Sequence, residues 1–63
     1  MDILPKERFF RVYANLPVGL RNQVVIVLSE IGPMSWNAVY VEVSNATKLG
    51  DTIVGKLIEL KII

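Results

Sequence analysis

Side chains able to do covalent or acid–base chemistry are scarce in this sequence. It contains no cysteine and no histidine, which removes thiolate nucleophiles, histidine-based triads and the ligands that zinc prefers. The acids are Asp2, Glu7, Glu30, Glu42, Asp51 and Glu59. A carboxylate pair working as acid and base needs two such groups in one cleft, with their proton affinities pushed apart. None of these stands close in sequence to another, and each reads as a solvated surface charge. Gly50 and Gly55 admit close approach of backbone, but no Lys-Ser or Lys-Thr pair follows them, so they do not form a phosphate-cradling loop. These exclusions point to a chain that is not an enzyme and holds neither cofactor nor metal.

What remains is binding. The formal charge is only +1, so the field of the whole molecule is weak. Lys6, Arg8, Arg11 and Arg21 gather in the first third, and Lys48 and Lys56 stand near the end. Either group has the chemistry to touch phosphate; either also serves as an ordinary solvated face. Phe9, Phe10, Tyr13, Trp36 and Tyr40 have the rings to stack on unpaired bases. Their helical spacing, in a chain of 63 residues that is 52% hydrophobic, assigns them to a core instead. For a single domain this small, the gain from burial and the conformational cost nearly cancel, so few large apolar side chains can be spared. A dense core or a partner chain must supply the surplus.

The elements that would position these groups follow from spacing and punctuation. Pro5 suits a first helical turn, Phe9, Val12, Tyr13 and Leu16 share a face, and Leu16 precedes Pro17, which predicts a helix over 4–15. Leu20, Val24, Val27, Leu28 and Ile31 recur at helical spacing between Pro17 and Gly32-Pro33, which predicts a second helix over about 18–31. The β-branched run Val24-Val25-Ile26-Val27 reads as a strand on propensity alone, and the alternative is a hairpin turning at Glu30-Ile31-Gly32. Ser35 caps a third helix with Trp36, Val39, Tyr40 and Val43 on one arc, Val41 lying off it. After a polar turn at Ser44-Asn45-Ala46-Thr47, Thr47 caps a last helix. Its main stripe is Leu49, Ile53, Leu57 and Leu60, with Val54, Ile58 and Ile62 beside it; Gly50 borders the main stripe and is expected to pack closely on a neighbouring helix. The fold expected is all-α, a small helical bundle with a helix-turn-helix-like C-terminal half; the alternative is α+β with a short hairpin at 24–35.

From Leu20 onward the chain resembles the helix-turn-helix core of winged-helix regulators, over about two-thirds of its length. The matching stretches are Val24-Val25-Ile26-Val27-Leu28-Ser29-Glu30-Ile31-Gly32-Pro33-Met34-Ser35 and Ile53-Val54-Gly55-Lys56-Leu57-Ile58-Glu59-Leu60-Lys61-Ile62-Ile63. The segments Trp36 to Val43 and Thr47 to Ile63 also resemble short uncharacterised prokaryotic proteins. Two departures stand out: Lys61 occupies a position where the family has glycine, and no wing follows Ile63. The resemblance implies DNA as a partner, with Lys48, Thr52, Lys56 and Arg21 as contacts. Asp51 and Glu59 on the same helix would face phosphate unfavourably. The width of the apolar arc implies instead a protein partner or homo-oligomer meeting Val54, Ile58, Ile62 and Ile63. With no apolar run longer than Val24 to Leu28 and an early charge at Asp2, neither a membrane span nor a secretory leader is expected, and the location expected is cytoplasmic.

Overall fold

The structure, a computed structural model, describes residues 4–63. Asp2 therefore lies outside the described residues. The described residues form three helices and one two-stranded antiparallel hairpin: α1 (Pro5–Asn15), a 3₁₀ turn (Val18–Asn22), β1 (Val24–Leu28), β2 (Gly32–Ser35), α2 (Trp36–Ser44) and α3 (Lys48–Glu59). α1 falls within the helix expected over 4–15, and α2 and α3 begin where Ser35 and Thr47 were expected to cap them. Ser35 caps α2 by accepting from the Ala38 N–H at 3.1 Å, and Thr47 caps α3 by accepting from the Gly50 N–H at 3.0 Å.

The helix expected over 18–31 is not formed; a 3₁₀ turn and the hairpin take its place, so the fold is α+β rather than all-α. The physical reason is visible in which side chains are covered. Of the helical-period set, Leu20, Val24, Val27 and Ile31 are left exposed and only Leu28 packs partly against the core, which Ile26 on β1 and Met34 on β2 reach. Period two selects one face of a ribbon, and here that period wins because the run is β-branched and stiff at χ1. Gly32 sits at φ +95°, a conformation that glycine adopts without strain, and returns the chain along β1. Pairing runs Leu28 to Gly32, Val27 to Pro33 and Ile26 to Met34, then breaks at a bulge before Val24 meets Ser35. Pro33 has no N–H to give. The Val27–Pro33 pair is therefore one whose backbone groups point away from each other.

The core is Phe9, Ile26, Met34, Val39, Val43, Ile53, Val54, Leu57 and Ile63, with one face of each helix and the inner face of the hairpin contributing. Phe9 stands at its centre, fully covered, stacked at 6.1 Å between centroids on both Tyr13 and Trp36. The α2–α3 pair is drawn tight by Gly50: a Cβ there would lie 2.7 Å from the Glu42 carbonyl oxygen. Close packing is thus what this glycine provides. Gly55 has nothing within 4 Å of its Cβ position.

Both ends of the α2–α3 unit close in the same way. After α2, the Ala46 N–H reaches the Val43 carbonyl at 3.1 Å and the Thr47 N–H reaches that of Glu42 at 3.2 Å. After α3, the Lys61 N–H reaches Ile58 at 3.0 Å and the Ile62 N–H reaches Leu57 at 2.9 Å. These are Schellman closures, and each puts its C′ residue in the left-handed region: Ala46 at φ 55°, Lys61 at φ 59°. The chain turn at Lys61 stops the helix one turn earlier than the stripe through Leu60 and Ile62 implies. Leu60 is left 60% exposed, and Ile63 swings back into the core at 8%.

Candidate functional site

A groove of about 510 Å³ runs between the hairpin and α3. One wall is the continuous stretch Ile26 to Ile31. The other is Leu49, Thr52, Lys56 and Glu59, which recur at three- and four-residue steps along a single face of α3, with Leu60 just beyond it. Consecutive strand residues line this wall, inward Ile26 and outward Val27 alike. A groove that touches both faces of a strand runs along its edge. The edge in question is the side of β1 away from β2, where the Val27 N–H and C=O point by the pairing described above.

That edge is chemically plain. β1 is Val-Val-Ile-Val-Leu, without charge or proline, the devices that usually blunt an exposed strand. Val24 and Val27 are 57% and 69% exposed, and Ile31 and Leu60 add apolar surface at the rim. The larger contacts of the hairpin with the helices are made by β2, against α2. Polar groups around the groove are few and of both signs: Glu30 and Glu59, Lys56, Ser29 and Thr52.

The residues expected to contact DNA are divided by this arrangement. Lys48, Thr52 and Lys56 are exposed on α3, and the last two line the groove. Arg21 is engaged elsewhere: its guanidinium lies over the Tyr13 ring at 4.4 Å and Nη2 reaches the Ala14 carbonyl at 3.5 Å, fastening the 3₁₀ turn to α1. Beside it the Tyr13 hydroxyl donates to Asn37 Oδ1 at 2.6 Å, and Asn37 Nδ2 donates to Asn22 Oδ1 at 2.7 Å. Arg21 thus belongs to a clasp joining α1, the 3₁₀ turn and α2. On the opposite flank, Lys6 faces Asp51 at 3.9 Å, both exposed, an ion pair of small energetic weight.

The expected partner patch also divides. Val54 and Ile63 are buried in the chain's own core at 2% and 8%, so they offer no surface. Ile58 is half-covered and packs against that core, and only Ile62 is exposed, at 41%. Val54 lies on the face of α3 turned to the core, and the left-handed turn at Lys61 carries Ile62 and Ile63 off the helical stripe. Of the apolar side chains that do face outward, Val24, Val27 and Ile31 lie on the hairpin, while Val18 and Leu20 on the 3₁₀ turn, Val41 on α2, and Leu4, Leu60 and Ile62 lie elsewhere. Sequence reasoning reached Thr52 and Lys56 but missed the β1 edge, although the uncharged β-branched run ahead of Gly32-Pro33 carried its signal.

Among the described residues no helix is long and apolar enough to cross a membrane, and no three acidic side chains gather as a metal site would need. Comparison with family models, with curated proteins and with solved structures finds no match. The functional reading therefore rests on the geometry.

Proposed function

We propose that this chain is a small non-catalytic interaction module that works through the groove between β1 and α3. The observation that carries the reading is the open β1 edge, uncharged and bordered by exposed Val27, Ile31 and Leu60. An extended segment laid along such an edge gains main-chain hydrogen bonds from the strand and side-chain contacts from the groove floor, the mode known as β-augmentation. Amide spectra recorded across a hundredfold range of protein concentration, and then with a lysine-flanked peptide of alternating Val and Thr, test it. Shifts at residues 24–31 and along the Leu49, Thr52, Lys56 face are the expected result. A spectrum unchanged in both series removes the reading.

A second reading is a DNA-binding helix-turn-helix unit, favoured by the contact between α2 and α3 and by Lys48, Thr52 and Lys56 sharing one exposed side of α3. Against it, Asp51 and Glu59 cancel the two lysines on that helix. Titration with a mixed-sequence duplex separates the two: DNA binding moves residues 48–56, weakens steeply with salt, and is lost in Lys48→Glu with Lys56→Glu.

A further inference from the structure

The occupant of the groove follows from its own chemistry. We infer that it is a second copy of this chain, docked by antiparallel pairing of β1 with β1 across a two-fold axis to make a four-stranded sheet. The inference rests on the interaction reading above and names its partner.

A two-fold interface is isologous, so one patch must satisfy itself: each group has to meet the complement of what it presents. The β1 edge does so. Its strand carries no charge, so two copies face each other without repulsion. The Val27 N–H and C=O, unused by β2 because Val27–Pro33 is a non-hydrogen-bonded pair of the ladder, form one donor and one acceptor at the same position. Antiparallel neighbours exchange such pairs reciprocally. The charged rim carries both signs, with Lys56 on one wall and Glu30 and Glu59 around it. Rotation by half a turn can bring the cation of each copy toward the anions of the other, whereas a rim of one sign would repel its own image.

A specific interface buries at least about 500 Å² on each partner, roughly a ninth of the 4384 Å² that the described residues expose. Exposed Val24, Val27, Ile31 and Leu60 cluster on the hairpin and groove rim to provide its apolar part. Covering them also addresses the thin margin of a domain this small, because a folded dimer is stabilised by association that the unfolded chain lacks.

Sedimentation velocity of the intact chain over a hundredfold concentration range, together with isotope-filtered NMR of mixed labelled and unlabelled protein, tests the inference. A concentration-dependent dimer with intermolecular Hα–Hα contacts within 24–28 is expected. Val27→Pro removes the outward N–H without touching a hydrogen bond to β2, and acts twice in the dimer, so the dissociation constant should rise about a hundredfold. Val27→Lys sets like charges together at the interface; it should weaken the dimer at low salt and recover in high salt, which a folding defect would not do. A dimer that persists in both variants while their α2 and α3 resonances stay native overturns the pairing. A wild-type monomer that binds the Val-Thr peptide in the groove overturns the second copy as occupant and leaves the interaction reading standing. A monomer that also ignores the peptide overturns both.

Discussion

Two glycines five residues apart on α3 should respond to the same substitution with opposite signs. In a helix interior, glycine to alanine gains about 1 kcal/mol from backbone entropy alone. At Gly55 nothing lies within 4 Å of the added methyl, so the whole gain should appear, raising Tm by roughly 4–8 °C for a chain of this length. At Gly50 the methyl would meet the Glu42 carbonyl oxygen at 2.7 Å, its carbon at 2.8 Å and the Val43 nitrogen at 3.0 Å. All three are backbone atoms of α2, unable to rotate away. The helices must separate by several tenths of an ångström, opening the packing around Val43 and Ile53. Overpacking of this kind costs about 1–3 kcal/mol, and backbone contact places it at the upper end. After the helical gain, Gly50→Ala should lose about 2 kcal/mol, a large share of the roughly 5 kcal/mol that a small domain commands. Urea unfolding followed by Trp36 fluorescence and by circular dichroism measures both variants, and equal slopes make the midpoints comparable. Equal and stabilising shifts at the two positions would refute the close α2–α3 approach, and with it the role assigned to Gly50.

Other outcomes follow from single contacts. Ala46→Gly and Lys61→Gly should each stabilise by about 0.5–1 kcal/mol, read as higher denaturation midpoints, because both native residues sit in the left-handed region. Thr47→Ala should cost about 1–2 kcal/mol, since its hydroxyl both caps Gly50 and donates to the Glu42 carboxylate at 2.9 Å; thermal unfolding checks this. Asn37→Ala should cost about 1–2 kcal/mol by breaking the link from Tyr13 to Asn22. In a double-mutant cycle Tyr13→Phe should then add less than it costs alone, and strict additivity would dismiss the clasp.

The parts legible in the sequence are those decided within a few residues. Ser35 and Thr47 announce their helices because a cap needs only its own hydroxyl and the next turn. Gly50 is legible as a packing residue because it borders the apolar stripe. The stretch 18–31 misleads because Leu20, Val24, Val27 and Ile31 satisfy a helical period, while the competing period-two set is interrupted by the bulge between Val24 and Ile26. Lys61 adopts the left-handed backbone conformation that glycine takes without strain. Its consequence, that Leu60 turns outward and Ile63 inward, is tertiary and invisible in a stripe. The groove was half legible: Thr52 and Lys56 lie on an exposed helical face, but its second wall exists only once the hairpin forms.

The path by which this chain reaches its fold is constrained by one element. The hairpin and the α2–α3 pair each join neighbours in sequence, whereas α1 must close back onto α2 and α3 across the intervening chain. Local closures are fast, and loop entropy is spent mainly on that single return. Phe9, stacked on Trp36 across that gap, is the contact that secures this return. Because that return carries most of the closure cost, truncating Phe9 should slow folding as well as accelerate unfolding, and the two arms of a denaturant chevron measure each effect.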